Sequence, residues 1–252
     1  MFKHLFSGLT DPGLLRPSNQ DAYHIDPEGR YFIVADGMGG HAGGQEASRI
    51  ATESIRDCLD AHWQTSMDNR ELLSQALHQA NKAILVDQHI YPERADMGTT
   101  AVVLIFRGDG NTPWCAHVGD SRLYRLHDQD LTRVTEDHTW IAGAIREGEL
   151  TAEQSRSHPW RHVLSQCLGR EDLNQLDIQP VDVQPGDQLL LCSDGLTEEL
   201  SDQTIARHLS SIQPCEAAAK ALVNSAKQNG GRDNITVVIV TLAASTPSGP
   251  LL

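Results

Sequence analysis

Two long segments with helical periodicity follow one another directly, and strand-like segments lie on both sides of them. These segments are residues 44–62 and 70–90, and in the second, apolar residues recur at helical spacing from Leu72 to Ile84. Strands and helices therefore come in blocks, without strict β–α–β alternation. This order disfavours a doubly wound parallel sheet and predicts an α+β fold in which antiparallel sheets carry pairs of helices.

The strand-like segments are short runs that are apolar or alternate apolar and polar residues, with turn signals between them. They are 21–26, 31–36, 99–106, 114–120, 122–127, 187–194 and 235–242. Two further helices are predicted near 201–211 and 214–228. Residues 137–162 are more mixed and polar, and Gly143 and Gly148 break weak helical patterns, which indicates a mobile loop with short helices. Because composition does not shift elsewhere, we expect one domain over 1–242 and a flexible tail over 243–252.

Composition excludes several classes of protein. The 252 residues include 20 Lys and Arg and 34 Asp and Glu, giving a net charge of −14. Because the cations form no cluster, a nucleic-acid partner is not expected. No apolar run approaches the roughly 20 residues of a membrane-spanning helix. The five cysteines form no Cys-x-x-Cys pair, which argues against a cysteine zinc site and predicts reduced, mostly buried thiols in a cytoplasmic protein.

Aspartates recur at the edges of the apolar runs. Four sit beside glycine or another turn residue, namely Asp36, Asp120, Asp194 and Asp233, and Asp21 precedes an apolar run. A single Asp-Gly pair usually forms only a turn. Several carboxylates brought together would repel one another unless a cation lay among them. Clusters with oxygen ligands alone suit hard cations such as Mg²⁺, Mn²⁺ or Ca²⁺.

Two basic side chains stand near these aspartates. Arg16 lies five residues before Asp21, and an arginine there can make bidentate contacts to phosphate. His41 lies five residues after Asp36, where an imidazole can give a proton to a leaving oxygen. The glycine-rich segment 36–44 lacks the lysine of a P-loop. Its glycines instead allow the backbone to come close to a metal.

Six short motifs stand in the order typical of one family. They are SNQD (18–21, with Arg16 before it), VADGMGGHAGG (34–44), MGTTAVV (97–103), VGDSRLY (118–124), SDGL (193–196) and GGRDNITVV (230–238). Together the motifs resemble the metal-dependent protein phosphatases, the PPM or protein phosphatase 2C-like family, in its bacterial form. Segments 136–142, 158–172 and 189–200 look particularly like the cyanobacterial phosphatases that act on the phosphorylated nitrogen-regulatory PII protein.

The resemblance implies a four-layer α/β/β/α sandwich, with two antiparallel sheets flanked by helix pairs. It also implies a site for Mg²⁺ or Mn²⁺. Asp36 would bridge two ions, and Asp21 and the carbonyl of Gly37 would hold the second of them. Asp194 and Asp233 would complete the site of the first ion.

Further roles carried over by the resemblance concern a third ion and the substrate. Asp120 with Asp194 would hold the third ion, Arg16 would bind the phosphate, and His41 would be the general acid. One position departs from part of the family, because Gln20 stands where some members have glutamate.

The implied activity is hydrolysis of phosphoserine and phosphothreonine in proteins by a metal-bridged water. The implied partner is a phosphorylated protein, with a PII-like protein as the candidate, and the chain would act as a monomer. Two alternatives stay open: a phosphatase of small phosphate esters, and a non-catalytic module that binds phosphoproteins. By the same resemblance, residues 137–162 correspond to the variable flap of the family. Four residues there are candidates for substrate contact, namely His138, Trp140, Arg161 and His162, with His162 preferred.

Overall fold

Two antiparallel sheets form the centre of the molecule. The computed structural model describes residues 3–40, 43–108, 112–155 and 158–243. The first sheet has the strand order β1–β11–β10–β7–β8. Its strands are β1 (Lys3–Asp11), β11 (Ile235–Ala243), β10 (Gln188–Cys192), β7 (Arg122–His127) and β8 (Asp130–Arg133).

The second sheet has the strand order β2–β3–β5–β6–β9, and a short sixth strand pairs with β3. Its strands are β2 (Asp21–Ile25), β3 (Tyr31–Met38), β4 (Gly98–Thr99), β5 (Ala101–Ile105), β6 (Trp114–Val118) and β9 (Asp177–Pro180). Every strand pair in both sheets is antiparallel. The prediction of antiparallel sheets is therefore confirmed.

Helices cover the outer faces of both sheets. The second sheet carries α1 (Gly43–His62) and α2 (Asn69–Ile90), which a 3₁₀ turn at Pro92–Arg94 follows. The first sheet carries α5 (Asp194–Thr197), α6 (Asp202–Ser211) and α7 (Cys215–Gln228). Two short helices, α3 (Trp140–Arg146) and α4 (Ala152–Ser155), lie within the predicted flap.

Strand β3 shows how alternating side chains build the layers. Ile33 and Ala35 pack against the helix pair on the outer face. Phe32 and Val34 point the other way, into an apolar layer shared with strands of the first sheet. Because successive side chains of a strand face opposite sides, one buried strand serves two cores. The result is the four-layer α/β/β/α sandwich that the resemblance implied.

The structure also contains strands that the sequence patterns did not predict. Strand β1 is the longest of them and pairs along its whole length with β11, from Lys3 with Ala243 to Asp11 with Ile235. Ala243, the first residue of the predicted tail, thus belongs to the sheet, and residues 244–252 lie outside the described residues. The short strands β8 and β9 were also unpredicted. All are edge strands or short, so they carry little of the alternating pattern that reveals a strand.

Two predictions from composition can be compared with the fold. The five cysteines are buried and none forms a disulfide, as expected. Among the helices that the structure describes, none is both long enough and apolar enough to cross a membrane.

Candidate active site

Aspartates from separate segments converge on one cavity at the edge of the two sheets. The cavity has a volume of about 260 Å³, and its lining includes Asp36, Asp120, Asp194 and Asp233. Asp21 is buried, with 8 % of its surface exposed, and its carboxylate interacts electrostatically with Asp194 and Asp233. The structure thus brings together all five aspartates singled out in the sequence. Arg16, Gly37 and His162 line the same cavity.

Asp21 links the two sheets through its carboxylate. It is the first residue of β2, directly opposite Asp36 on β3. Its Oδ2 atom accepts hydrogen bonds from the hydroxyls of Ser193 at 2.7 Å and Thr236 at 2.6 Å, and both donors belong to the other half of the sandwich. Its Oδ1 atom is buried and has no hydrogen-bond partner. One oxygen is therefore fixed while the other remains available to a cation.

The backbone of Asp36 is held by two threonines. Thr100 Oγ1 accepts a 3.0 Å hydrogen bond from the Asp36 amide, and the Thr99 hydroxyl donates a 2.8 Å bond to the Asp36 carbonyl. The Thr100 amide donates to the same carbonyl at 2.9 Å. These hydrogen bonds satisfy both backbone groups of Asp36, while its carboxylate faces the cavity.

Glycine at position 37 is required by close approach of the backbone. A Cβ atom on Gly37 would lie 1.9 Å from the carbonyl oxygen of Gly44, at the start of α1. Gly195 has the same constraint, since its Cβ would lie 1.9 Å from the Asn234 carbonyl oxygen. These glycines let the loops beside Asp36 and Asp194 pack closely enough for the carboxylates to meet.

Burial and mutual repulsion raise the pKa values of these carboxyl groups. Burial is the main cause in each case, and it raises the pKa of Asp21 to about 7 and that of Asp194 to about 6, with further contributions from neighbouring carboxylates. The same causes raise the pKa of Asp36 and of Asp120 well above the usual value. Keeping these buried carboxyl groups ionised therefore costs free energy when no positive charge lies among them.

The donor set fits divalent cations. Among the described residues, four buried side-chain polar atoms lack a hydrogen-bond partner, and two of these are Asp21 Oδ1 and Asp194 Oδ1. Buried polar atoms are normally paired, and an ion between these oxygens would supply what they lack. Carboxylate and carbonyl oxygens are the ligands that Mg²⁺ and Mn²⁺ prefer.

Arg16, predicted to bind the phosphate, and His162, predicted to contact the substrate, both line this cavity. Arg16 is half exposed and donates from one terminal nitrogen to Asp233 Oδ2 at 2.6 Å, so it pairs with Asp233 rather than with the nearer-in-sequence Asp21. His162 lies at the mouth of the cavity, with its Nδ1 atom 3.4 Å from Glu198 Oε1. His41, the predicted general acid, lies outside the described residues.

His138 holds the loop that carries Asp120. It is 4 % exposed, and its amide donates to the Gly119 carbonyl at 2.8 Å, while the Gly119 amide donates to its Nδ1 atom at 3.3 Å. Nε2 then carries the proton and contacts Asp177 at 3.2 Å. His117 lies beside it, so these three residues resemble a metal site. However, a ligating Nε2 would need an Nδ1 that donates a proton, and the Gly119 amide opposes this. We therefore interpret the cluster as a structural clamp, and His138 does not face the substrate.

The other flap candidates are exposed. Trp140 stacks on His158 at a ring-centroid distance of 5.1 Å and meets Trp160 edge-on at 5.0 Å. Arg161 is exposed and adjoins His162. Trp140 and Arg161 thus stand at the surface, but neither lines the cavity that holds the aspartates.

Several supporting residues had no predicted role. Ser193, Thr236, Thr99 and Thr100 bond to Asp21 or Asp36, as described above. The side-chain amide of Asn234 donates to the carbonyls of Pro12 and Ser18 at 3.0 Å, and its oxygen accepts from the Gln20 amide at 2.7 Å. These supporting residues lie within or beside the motifs. Their roles were not predicted, because hydroxyl and amide side chains next to a turn have no spacing that distinguishes a supporting residue.

The comparison with known families agrees with this geometry. The family model of protein phosphatase 2C matches residues 17–230. This range includes four of the five aspartates and leaves out Asp233. The chain belongs to the protein phosphatase 2C family. The expected membership is thereby confirmed.

Curated relatives of this phosphatase 2C member are named serine/threonine or protein phosphatases. It is 35 % identical to the serine/threonine protein phosphatase PstP of Mycobacterium tuberculosis over 238 residues, 93 % of this chain and 44 % of PstP. The chain thus spans less than half of that relative. It is also 35 % identical to protein phosphatase PhpP of Streptococcus pneumoniae over 240 residues, 93 % of this chain and 96 % of PhpP.

Solved structures show the same fold. A crystal structure of M. tuberculosis PstP superposes with a TM-score of 0.84 at 35 % identity, covering 96 % of this chain and 99 % of that one. The PstP catalytic domain in complex with two manganese ions gives a TM-score of 0.80 at 33 % identity, with coverage of 96 % and 99 %. Members of the family are metal-dependent hydrolases, which agrees with the oxygen donors in the acidic cavity.

Proposed function

We propose that this protein is a metal-dependent phosphatase that hydrolyses phosphoserine and phosphothreonine in proteins. The observation that carries the proposal is the pair of unpartnered buried oxygens, Asp21 Oδ1 and Asp194 Oδ1, in a cluster of five carboxylates. Such a cluster repels a phosphate dianion until cations reverse the local charge. The names of the curated relatives support the reaction class.

The ligands that we propose for two ions are Asp36, shared between them, with Asp21 and the Gly37 carbonyl for one and Asp194 and Asp233 for the other. Bound divalent ions supply a water molecule of lowered pKa and neutralise negative charge on the phosphate. Asp120, beside Asp194, is proposed to hold a third ion. We propose His41 as the proton donor to the leaving oxygen.

Arg16 is proposed to bind the substrate phosphate. A guanidinium has five N–H donors, and the ion pair with Asp233 uses one of its terminal nitrogens. The remaining donors, on a half-exposed side chain, can receive phosphate oxygens while Asp233 holds the group in place. His162 is proposed to contact the substrate at the mouth of the cavity.

We retain a PII-like phosphoprotein as the candidate substrate, because segments 158–172 and 189–200 resemble phosphatases of that specificity. The five free cysteines support a reducing, cytoplasmic location. We propose a monomer built as one domain that runs through Ala243, one residue beyond the predicted 1–242, in which residues 137–162 form the flap.

The experiment is hydrolysis of a phosphothreonine peptide by the purified protein in EDTA, Mg²⁺ or Mn²⁺, with metal binding measured separately by calorimetry. We expect turnover only with metal, and calorimetric binding of at least two ions. A small aryl phosphate is assayed in parallel. Faster specific hydrolysis of the aryl phosphate than of any phosphopeptide would favour a small-ester phosphatase, and metal binding without turnover on either would favour a phosphoprotein-binding module.

A further inference from the structure

A second and larger cavity is lined by residues of the flap and of the strands beside it. Its volume is about 960 Å³, and residues of α3, of strands β7 and β8 and of the end of α5 contribute to its lining. Five arginines contribute to its lining, namely Arg122, Arg133, Arg146, Arg161 and Arg232, against three acidic residues, Glu136, Asp137 and Glu198. In a protein with a net charge of −14, this concentration of guanidinium groups is a local reversal of charge.

Three of the arginines are committed to partners. Arg122 holds Asp137 in a bidentate pair at 2.8 and 2.6 Å, and Arg133 contacts the same carboxylate at 3.2 Å. Two cations thus share one anion. Arg232 donates to Glu199, a carboxylate that is only 2 % exposed, at 2.9 Å. These pairs fix the cavity wall and leave an excess of one positive charge around Asp137.

The remaining two arginines are available to a ligand. Arg146 lies 3.5 Å from Glu136, and both side chains are more than half exposed, so this ion pair is weak. Arg161 is exposed, and within the described ranges it makes no ion pair. Both line the same cavity, Arg146 from α3 and Arg161 from the turn that precedes His162.

The arginine-lined cavity adjoins the acidic one. Arg161 immediately precedes His162, and Arg232 immediately precedes Asp233. In each pair the arginine lines the larger cavity and the residue after it lines the acidic cavity. The contact between His162 and Glu198, at 3.4 Å, stands between the two cavities. A polypeptide whose phosphorylated residue enters the acidic cavity can therefore place neighbouring side chains over Arg161 and Arg146.

We propose that the arginine-lined cavity docks acidic side chains that flank the phosphorylated residue of a protein substrate. The inference rests on the proposed function and adds a substrate class to it: phosphoproteins with Asp or Glu beside the phosphoserine or phosphothreonine. Arginine forks match carboxylates bidentately. Charge complementarity at such a rim acts mainly on encounter and on KM.

The test compares phosphothreonine peptides that carry three Glu residues on one flank or on the other with peptides that carry Gln at the same positions. Variants are Arg161→Gln, Arg146→Gln and the double variant. Arg207→Gln is the matched control, because Arg207 is exposed on α6 and, within the described ranges, also makes no ion pair. A small aryl phosphate reports on the acidic cavity alone.

We expect wild type to prefer one of the Glu peptides about tenfold in kcat/KM, mainly through KM, and to lose this preference as ionic strength rises. The double variant should bring the Glu-to-Gln ratio near one and keep aryl phosphate hydrolysis within about twofold of wild type. Arg207→Gln should leave the ratio unchanged.

Two results would overturn the inference: equal rates on Glu and Gln peptides with wild type, or a preference that survives in the double variant. The failure of the proposed function would look different. In that case wild type, with its metal ions bound, would hydrolyse none of the phosphopeptides and not the aryl phosphate.

Discussion

The hydroxyl of Thr236, on β11 of the first sheet, donates a 2.6 Å hydrogen bond to Asp21 Oδ2, on β2 of the second. Ser193, after β10, donates to the same oxygen at 2.7 Å. Both bonds favour the charged form of Asp21 and so work against the effect of its burial on the pKa. The packing of the two sheets thereby favours the charged form of the Asp21 carboxylate, which is the form that binds a cation.

Thr236→Val removes one of these donors without changing the size of the side chain. We expect the affinity for Mn²⁺ to fall by about 10–100-fold, because partners that orient a ligand tune its metal. Turnover at saturating Mn²⁺ should fall much less. Calorimetry of Mn²⁺ binding checks this, with Thr132→Val on β8 as the control, and an unchanged Mn²⁺ affinity would contradict the orienting role.

Asp36→Ala removes the carboxylate proposed to be shared by two ions. We expect turnover to fall by at least about a thousandfold, because the charge stabilisation supplied by the metal pair is lost. The apo fold should persist, since the backbone contacts to Thr99 and Thr100 do not need the side chain. Activity assays with circular dichroism check both points. Near-normal activity in a folded variant would refute the site assignment.

The stability of the metal-free protein should depend on pH through the same cluster. Native pKa values of about 7 for Asp21 and about 6 for Asp194 lie above the unfolded value of 3.8. Between roughly pH 4 and 7 the native state therefore holds more protons than the unfolded state, and these groups lower stability as the pH rises.

Asp36→Asn isolates this effect from other titrating groups. At pH 8 in EDTA the variant should be more stable than wild type by on the order of 2 kcal/mol, or about 4–8 °C in Tm. The difference should shrink at pH 5. Thermal unfolding of both proteins at the two pH values measures it, and an equal or larger gap at pH 5 would contradict the sign.

Asp120→Ala tests the separate role of the loop after β6. We expect most turnover to be lost while two ions still bind, because Asp120 is proposed to contribute only to a third site. Calorimetry should count one fewer ion than in wild type, and a crystal structure of the variant with Mn²⁺ should show two. Retention of a third ion in that structure would count against the assignment.

His162→Ala tests contact with the protein substrate at the cavity mouth. We expect kcat/KM for a phosphopeptide to fall by about three- to tenfold, since the ring stands at the mouth beside Glu198, with little change on a small aryl phosphate. Identical ratios of the two activities in variant and wild type would exclude a role for His162. His78→Ala, at an exposed position of α2 away from the flap, serves as the matched control.

The sequence predicted the parts of the fold that carry strong periodicity. Helices α1 and α2 and buried strands such as β3 and β5 were located closely, because one apolar face or a fully apolar run identifies them. The edge strand β1 was not, since its side chains are mostly half-buried and its partner β11 is more than 200 residues away. The aspartates were found because they lie in short motifs that follow one another in the order typical of the family.

What the sequence determined by itself is the inventory: antiparallel layers with paired helices, five aspartates at the ends of apolar runs, and membership of a family by its motifs. The tertiary structure alone decided which groups touch. It brought Ser193 and Thr236 to Asp21 and paired Arg16 with Asp233. It also buried His138 at the start of the flap and placed Arg146 and Arg161 in the lining of one cavity. The physical reason is that these contacts join residues far apart in the chain, and local propensity and periodicity carry no information about pairings that only the packing of two sheets creates.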